Sequence, residues 1–599
     1  MRPDFLKLAD LDWTEDGQPL SSVYGDVYFS REGGLAESRA VFLAGCGMPQ
    51  VWQGRTHFTV AELGFGTGLN ILALLDLWRR ERPAGGHLHI WSVEAHPLWK
   101  QALEQAHAAW PDLSDISGQI VDRWPVLTPG THRMALPDCH ATLDIAFGEV
   151  EPMLRQWSGR ADAWFLDGFA PATNPAMWSD EVLSLVGQRS APGARAATFT
   201  VAGQVRRGLA TAGLEVEKKP GHGRKRERLE AVYPGERQDA PDLRHVAVIG
   251  AGIAGAALAR ALARLSKSAT VFDVAGPGAG ASGAPAALVT PWVDAGLSPA
   301  SVLAAQAFLF ATDLYQRETP QAVIDRGVLK LARDAADQKR WLTAAGQAIW
   351  PSTLISELDA EGAAALVDEP PGQPGVWLMD ALTIDPRAVL DAWLADTEIV
   401  RAGVLEIRPS SEPVIVTDDG RERRFDAIIV AAGFGSKALG VEGVSPVRGQ
   451  LCWADGITAG RAAIWGPGYA IPTRSGTLIG ATHDRGRADA DVDVADTNRL
   501  MARLVETRPV LAGKLEGRAV TGRAAVRAVT ADHRPLCGQV GQGVWALSGL
   551  GGRGFMWAPL LAEHLVAEMT ATPSPVSADH LPLIVPHRLA ASPKAGAQK

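Results

Sequence analysis

The sequence predicts an α/β protein made of two consecutive nucleotide-binding domains, each built on a mainly parallel sheet. Two glycine-rich loops of different spacing lie in opposite halves of the 599-residue chain, each between a strand-like and a helix-like segment. A polar, proline-bounded stretch at 234–242 separates the halves. We therefore predict domains at 1–236 and 245–575, followed by a flexible tail rich in Ala, Pro and Ser at 576–599.

Composition excludes several classes of protein. The chain is 46% hydrophobic and 21% charged, and no apolar run approaches the roughly 18 residues of a membrane span. Its acidic amino terminus resembles no secretory signal, so we expect no membrane association and a cytoplasmic location. The four cysteines are too widely spaced to predict a disulfide framework or a metal site: Cys46, Cys139, Cys452 and Cys537.

The first half alternates strands and helices in the order of a Rossmann-like sheet. We predict strands at 58–63, 88–93, 143–147 and 161–166, with a helix over 69–80. Acidic residues follow three of these strands: Glu94, Glu149 and Asp167. Because ligands of such sheets bind beyond the carboxyl ends of the strands, these residues are candidate ligand contacts.

The first glycine loop follows strand 58–63. Gly64, Gly66 and Gly68 let a nucleotide approach the backbone, while Glu62 and Glu94 are placed to accept hydrogen bonds from ribose hydroxyls. The form E-x-G-x-G-x-G is typical of class I S-adenosylmethionine-dependent methyltransferases. A structural tight turn or another nucleotide-binding fold remains open on spacing alone.

Asp167 stands at the mouth of the same predicted site. A carboxylate there could take a proton from an attacking amine and so favour its nucleophilic form. A helix cap is the alternative role.

Basic residues accumulate after the predicted methyl-transfer site, around the flexible segment 221–223. Such a cluster could follow the phosphates of a nucleic acid despite the formal net charge of −9, or could be a solvated face. The residues are Arg206, Arg207, Lys218, Lys219, Arg224, Lys225, Arg226 and Arg228.

The second loop carries the dinucleotide spacing G-x-G-x-x-G at Gly250, Gly252 and Gly255. The pyrophosphate of NAD or FAD would lie at the following helix amino terminus, and Asp273 suits the adenosine ribose. A second small-residue loop containing Ser282 and Gly283 favours the longer FAD, as do late glycines including Gly552 before a helix at 558–569. Strand-like segments between 328 and 479 predict an inserted antiparallel substrate sheet.

Three arginines of the second half lie in or beside glycine turns: Arg448, Arg527 and Arg553. Any of them could be a surface ion pair. Two planar guanidinium groups near a flavin could instead hold a substrate carboxylate and orient the adjacent carbon for oxidation.

Long strings in both halves resemble one family of proteins. They include Asp162–Pro171 with Asn174-Pro175 and Met177-Trp178, the segment 223–227, and Gly552-Arg553-Gly554 with Ala558-Pro559. The chain is similar to the bacterial bifunctional tRNA 5-methylaminomethyl-2-thiouridine biosynthesis proteins along nearly its whole length. The second half also resembles glycine and D-amino-acid oxidases.

This resemblance implies two reactions on a tRNA wobble uridine. The FAD half would oxidise a carboxymethylaminomethyl group to an imine that hydrolyses to aminomethyluridine and glyoxylate, and the other half would methylate the exposed amine. Arg527 and Arg553 match the positions that hold the carboxylate in the oxidases, and Asp167 matches the carboxylate nearest the amine.

The chain departs from the family pattern at three places: Ala284–Ala287, Glu149 in place of Asp, and Phe555–Trp557. Two other hypotheses remain at this stage. One is a fused oxidase and methyltransferase acting on a free amine or amino acid, and the other is a non-catalytic tRNA-binding protein that keeps both folds.

Overall fold

The computed structural model describes residues 6–589 except 10, 16, 23–24, 26, 29–32, 224–225, 238–242, 371 and 467. The chain divides into two compact units. The first comprises Met1–Pro241 with Ala567–Ala578, and the second comprises Asp242–Val566 with Asp579–Lys599.

The first unit is an α/β sandwich whose elements follow the predicted alternation. Its strands are β1 (Leu11–Trp13), β2 (Pro19–Ser21), β3 (His57–Leu63), β4 (His87–Glu94), β5 (Gly130–Leu136), β6 (Ala141–Phe147), β7 (Ala161–Leu166), β8 (Ser190–Thr198), β9 (Glu215–Pro220) and β10 (Glu227–Val232). Its helices are α1 (Gly34–Ser38), α2 (Leu69–Glu81), α3 (Lys100–His107), α4 (Ser114–Asp122), α5 (Val150–Gln156), α6 (Asp180–Gln188) and α7 (Gly203–Thr211).

The main sheet of this unit has eight strands in the order β5-β6-β4-β3-β7-β8-β10-β9. The five central strands, β6 to β8 in that order, are parallel, and the edge strands are antiparallel. Strands β3, β6 and β7 are buried at every residue because apolar clusters cover both faces of the sheet. The parallel direction brings the ends of β3, β4, β6 and β7 to one edge, as the sequence predicts.

A buried ion pair ties the carboxyl-terminal segment into the first unit. Arg133 of β5 donates from Nε and Nη2 to Asp144 of β6 at 2.7 and 2.6 Å, and Nη2 also donates to the Pro573 carbonyl at 2.6 Å. Both charged side chains are 2% exposed. The bidentate hydrogen bonds and the extra carbonyl acceptor offset the free-energy cost of removing the two charges from water.

Replacement of Arg133 by Ala is expected to destabilise the first unit by about 3–5 kcal/mol, because Asp144 becomes an uncompensated buried charge. Urea unfolding followed by intrinsic fluorescence measures the change. The exposed Arg155–Glu151 pair supplies the control, since Arg155→Ala should cost less than about 1 kcal/mol. Equal stability of the two variants would contradict the expected role of Arg133.

The second unit contains the remaining elements. Its strands are β11 (His245–Ile249), β12 (Ser268–Phe272), β13 (Ala287–Val289), β14 (Val323–Leu331), β15 (Ile355–Leu358), β16 (Gly375–Ile384), β17 (Glu398–Val400), β18 (Val404–Arg408), β19 (Val414–Thr417), β20 (Glu422–Arg424), β21 (Ala427–Val430), β22 (Val444–Asp455), β23 (Ala462–Trp465), β24 (Gly468–Pro472), β25 (Gly476–Gly480), β26 (Asp484–Arg485), β27 (Thr521–Thr530), β28 (Leu536–Gly541) and β29 (Val544–Ser548). Its helices are α8 (Ile253–Arg264), α9 (Pro299–Glu318), α10 (Ala335–Ala345), α11 (Ala360–Val367), α12 (Pro386–Trp393), α13 (Val494–Thr507), α14 (Pro509–Leu515) and α15 (Gly554–Met569), the last of which ends among residues grouped with the first unit.

Two large sheets organise this unit. The first has the order β17-β12-β11-β21-β29-β28 and is parallel except for β28, so the predicted βαβ unit of β11, α8 and β12 is confirmed. The second is a ten-stranded sheet formed by β13 to β16 and β22 to β27. This inserted sheet is antiparallel as predicted, apart from one parallel pairing of β14 with β23.

The segment predicted as a flexible tail is partly ordered. Residues Ala578–Leu583 and Pro586–Leu589 form short 3-10 turns, and Ile584 between them is buried. The sequence pattern missed this because the two apolar anchors, Val576 and Ile584, stand apart in a proline-rich stretch and show no periodicity. Residues 590–599 lie outside the described part. Among the residues that the structure describes, no helix is both long and apolar enough to cross a membrane.

Candidate active sites

The first glycine loop joins β3 to α2 in a backbone conformation that requires glycine. Gly64, Gly66 and Gly68 have φ angles of 83°, 54° and 77°. A Cβ on Gly68 would come within 2.5 Å of the Phe65 ring, which packs beneath the loop. The Thr67 carbonyl accepts a hydrogen bond from His107 Nε2 at 2.7 Å, and this contact fixes the other side of the turn.

Glu94 at the end of β4 faces this loop. Its carboxylate accepts hydrogen bonds from the backbone N–H of Gly66 at 2.7 Å and of His96 at 2.8 Å. Partial burial raises the pKa of Glu94, and the two N–H donors oppose that rise. The structure thus places Glu94 at the strand edge where the sequence predicts a ribose contact.

Glu62 lies deeper than predicted. Its side chain has no exposed surface, and its oxygens accept from Ser92 Oγ at 2.6 Å and from Asn70 Nδ2 at 3.1 Å. Burial raises the pKa of Glu62 well above its ordinary value. The expected direct ribose contact is therefore corrected: strand β3 points Glu62 into the core beneath the loop, where no ligand reaches it.

Asp167 is half-buried at the end of β7. One carboxylate oxygen accepts from the Gly168 N–H at 2.8 Å, and the other accepts from Asn70 Nδ2 at 2.7 Å. Beside it, Phe169 meets Tyr28 edge to face with ring centroids 5.4 Å apart, and Tyr28 also lies over Gly66. The carboxylate predicted to act on an amine therefore adjoins both the glycine loop and an aromatic wall.

Glu149 stands at the end of β6, on the same edge of the sheet. Its side chain is exposed and caps no helical N–H, although the residue precedes α5. An exposed carboxylate at this edge is available to a ligand, so its predicted contact with the cofactor stays a prediction.

The predicted nucleic-acid cluster divides into exposed and neutralised members. Arg206 and Arg207 on α7 and Arg226 before β10 are exposed. Lys218 pairs with Glu227 at 2.7 Å, and Lys219 pairs with Glu217 at 2.7 Å. Arg228 likewise pairs with Glu230, and Arg224 and Lys225 lie outside the described residues.

The second glycine loop joins β11 to α8 and packs closely against neighbouring backbone. Gly250 has a φ of 111°, and a Cβ there would come within 2.5 Å of the Ala431 carbonyl. A Cβ on Gly255 would collide with the Gly250 carbonyl. Ser282 Oγ, near Gly252, accepts from the Ile253 N–H at 3.0 Å and so joins the second small-residue loop to the start of α8.

We call the loop of Gly250, Gly252 and Gly255 the cradle. Asp273, at the end of β12, lies beside it. Its oxygens accept from the N–H groups of Ala251 and Gly276, each at 2.8 Å. Gly283 allows its loop to fold back on Gly278, where any side chain would collide. The loop carbonyls accept from Arg523 Nη2, for example that of Ala279 at 2.7 Å.

Arg527 on β27 lies beside Gly552, which is in the turn that precedes α15. The Arg527 guanidinium packs flat against Gly449, where a side chain would collide, and donates to the Thr482 carbonyl at 2.7 Å. A Cβ on Gly552 would lie 3.6 Å from Arg527 Nη1. Arg553 follows directly, is solvent-accessible, and lies 6.0 Å from the ring centroid of Trp292. Arg527 therefore lies beside the residue that directly precedes Arg553.

Arg448 is the third candidate arginine. Its side chain has no exposed surface and pairs with Asp496 at 2.5 Å, with Asp489 at 3.2 Å and with Asp484 at 3.4 Å. Three carboxylates around one buried guanidinium make Arg448 a structural anchor for the segment 484–496, so a role in binding substrate is excluded.

The matches to known families fall in the same two halves of the chain as the two glycine loops. Residues 245–569 match the model of FAD-dependent oxidoreductases, and residues 111–234 match a model of S-adenosyl-L-methionine-dependent methyltransferases. The first match covers more than half of the chain. The chain therefore carries one enzymatic unit of each kind.

Full-length relatives combine the same two units. The tRNA 5-methylaminomethyl-2-thiouridine biosynthesis bifunctional protein MnmC of Caulobacter sp. (strain K31) is 48% identical over 98% of this chain and 99% of its own length. The protein of that name from Caulobacter vibrioides is 50% identical over 95% of each chain. This chain belongs to the MnmC family.

Among solved structures, the glycine oxidase of Geobacillus kaustophilus has a TM-score of 0.50 and 20% identity, and covers 57% of this chain and 98% of its own. This similarity concerns the fold alone. It agrees with the predicted oxidase-like architecture of the second unit.

The residues of this MnmC chain fit both cofactors. The side-chain-free cradle of Gly250, Gly252 and Gly255 at the start of α8 suits a pyrophosphate, with Asp273 at its adenosine end. In the first unit, the left-handed glycines and Glu94 suit the nucleoside of S-adenosylmethionine. The chain is a bifunctional methyltransferase and FAD-dependent oxidoreductase.

Sequence reasoning missed Lys330 in the oxidase unit of this MnmC chain. Its amino group lies 4.1 Å from the ring centroid of Trp341. Burial lowers the pKa of Lys330 to about 8, with a smaller contribution from the charge of Arg553, and Asp337 opposes the change. The available signal was one lysine in the otherwise apolar end of strand β14.

Lys330 therefore loses its charge as the pH rises through about 8. If the charged Lys330 helps Arg553 attract a substrate carboxylate, the KM of the oxidation should rise about tenfold as the pH rises through about 8. A tenfold change corresponds to the ~1.5 kcal/mol of a hydrogen bond to a charged group. Steady-state oxidation measured against pH tests this. Lys330→Met should give the high KM at all pH values, and a variant that keeps the wild-type pH dependence would contradict the role.

Proposed function

We propose that the chain modifies the wobble uridine of tRNA in two successive steps. The second unit removes the carboxymethyl part of 5-carboxymethylaminomethyl-2-thiouridine, and the first unit methylates the resulting 5-aminomethyl-2-thiouridine. The supporting observation is that one chain carries Arg527 next to Gly552, which Arg553 follows, in the FAD-dependent unit, and the Asp167 carboxylate beside the methyl-donor loop. These groups complement the carboxylate of the starting group and the amine that its removal exposes.

In the oxidation, bound FAD supplies two-electron chemistry at a carbon–nitrogen bond. Arg527 and Arg553 hold the substrate carboxylate and orient the carbon between it and the amine. This carbon loses a hydrogen with its electron pair, the nitrogen loses a proton, and a C=N bond forms. Water then adds to the imine carbon, and the C–N bond breaks to give glyoxylate and the aminomethyl nucleoside.

In the methylation, bound S-adenosylmethionine supplies a methyl group on an already activated leaving group. Asp167 accepts a proton from the aminomethyl nitrogen, so that the nitrogen lone pair attacks the methyl carbon. The remaining rate acceleration comes from in-line positioning between the glycine loop and the Tyr28–Phe169 wall. The order is set by chemistry, because the primary amine exists only after the oxidation.

The tRNA contacts are proposed at the exposed basic residues Arg206, Arg207 and Arg226, together with Arg224 and Lys225. Phosphate binding by such a surface releases counterions and therefore weakens with salt. The tRNA substrate also supports a cytoplasmic site of action.

Replacement of both Arg206 and Arg207 by Ala is expected to weaken tRNA binding and to lower the slope of log affinity against log salt by roughly 1 to 2. Filter binding across a salt series measures both. Lys218→Ala/Lys219→Ala removes the same formal charge from residues already paired with glutamates, so it should change the slope less. A larger effect of the lysine pair would refute the assignment of α7.

Mass spectrometry of nucleosides tests the function itself. The FAD-loaded protein is incubated with tRNA carrying 5-carboxymethylaminomethyl-2-thiouridine, with and without S-adenosylmethionine. Aminomethyl nucleoside without the methyl donor and methylaminomethyl nucleoside with it are expected. Unchanged tRNA, from protein that oxidises glycine or sarcosine efficiently, would instead support an enzyme of free small molecules.

A further inference from the structure

Asn70, in the first turn of α2, lies between the carboxyl groups of Glu62 and Asp167. Its Nδ2 donates to Asp167 at 2.7 Å and to Glu62 at 3.1 Å. Its Oδ1 accepts from Ser38 Oγ at 2.7 Å. The side chain is 7% exposed, so these contacts form within the protein.

The orientation of the Asn70 amide follows from its neighbours. If the amide were flipped, its carbonyl oxygen would face the Asp167 carboxylate and its NH₂ group would face the Ser38 hydroxyl. With the NH₂ group toward the carboxylates, each of its two hydrogens has an acceptor and the carbonyl has a donor. Ser38 thus fixes Asn70, and Asn70 fixes Asp167.

Glu62 belongs to the same chain of hydrogen bonds. It is fully buried, and Ser92 holds its second oxygen at 2.6 Å. It cannot reach a ligand directly, but it anchors the second hydrogen of the Asn70 NH₂ group. A donor held in this way stays aimed at Asp167 and favours the ionised, proton-accepting form of that carboxylate.

We propose that Asn70 is the positioning residue of the methyl-transfer site, holding Asp167 ionised and correctly oriented toward the acceptor amine. The Gly168 N–H holds the other Asp167 oxygen, so the two donors define the plane of the carboxylate. This inference rests on the proposed methylation of an aminomethyl group. The two can be tested apart, because variants of Asn70 can fail the inference while the wild-type protein still methylates.

Asn70→Leu removes the donor while keeping a similar volume. Its methylation kcat should fall about 10²-fold, the cost of a misplaced catalytic group, and the acid limb of the pH–rate profile should move upward. The dissociation constant for S-adenosylmethionine should change less than threefold, or roughly 0.6 kcal/mol. The retained affinity for S-adenosylmethionine verifies that the first unit is folded, and oxidation of the carboxymethylaminomethyl tRNA by the same sample verifies the second unit.

N70D provides a sharper signature and a second variant if Asn70→Leu fails to fold. The carboxyl group introduced by N70D can donate to Asp167 only in its protonated form, so methylation by this variant should fall as the pH rises, opposite to the acid limb of the wild type. A merely structural role would not invert this dependence. Ser38→Ala should give an intermediate loss, since it removes the anchor but keeps the donor.

Three results separate the outcomes. Wild-type kcat and pH profiles in Asn70→Leu and N70D would overturn the inference while leaving the function intact. Equal losses of S-adenosylmethionine affinity and rate would also overturn it, because Asn70 would then shape only the cofactor loop. Failure of the wild-type protein to methylate aminomethyl tRNA would reject the proposed function itself.

Discussion

Replacement of Asp167 by Asn is expected to lower the methylation kcat by about 10²- to 10⁴-fold, the usual contribution of a positioned general base. The amide keeps the size of the side chain but cannot take the proton of the amine. Affinity for S-adenosylmethionine should persist, because Glu94 and the three glycines contact that ligand in the proposed arrangement. Single-turnover methylation of aminomethyl tRNA, with calorimetric titration of the methyl donor, measures both quantities.

Glu151→Gln supplies the matched control for Asp167→Asn. This carboxylate lies on α5 in an exposed pair with Arg155, so its loss should leave methylation unchanged. If Asp167→Asn lost cofactor affinity and rate in equal proportion, Asp167 would have a structural role.

Replacement of Arg553 by Ala is expected to lower kcat/KM for oxidation by about 10²- to 10³-fold, equivalent to roughly 3–4 kcal/mol. The substrate carboxylate then loses one of two guanidinium groups in a site where Arg527 remains. Bound flavin should be retained, because the cradle of Gly250, Gly252, Gly255 and Asp273 is untouched. Oxidation kinetics and the absorbance of bound flavin measure these effects.

Arg553→Lys distinguishes charge from shape, since an ammonium group cannot form two parallel hydrogen bonds to a carboxylate. It should recover part of the lost activity. Arg326→Ala, which breaks an exposed pair with Asp380 on the substrate sheet, should have no effect on oxidation. Loss of flavin from Arg553→Ala would mean that the residue holds the cofactor rather than the substrate.

Local patterns predicted the elements that position both sites. The strands before each glycine loop are apolar and bounded by glycine, so β3 and β11 and the helices that follow them are readable from sequence. The acidic ends of β4, β7 and β12 are also predictable, because parallel strands bring their carboxyl ends to one edge.

The sequence could not reveal which polar side chains face inward. Glu62 and Glu94 look equivalent as acidic neighbours of the loop, yet Glu62 lies inside β3, which is buried on both faces, whereas Glu94 is the last residue of β4 at the edge of the sheet. Arg448 resembles Arg527 as an arginine beside a glycine turn. Its burial depends on three aspartates from positions 484 to 496, a tertiary contact without a sequence period.

The most direct measurement compares the nucleosides that the two catalytic variants leave on the same tRNA in the presence of both cofactors. Arg553→Ala should leave the carboxymethylaminomethyl nucleoside, and Asp167→Asn should convert it and stop at the aminomethyl nucleoside. That difference is expected only if the two units act in sequence on one group. The same nucleoside from both variants, or a methylated product from Arg553→Ala that still carries its carboxymethyl group, would contradict sequential action.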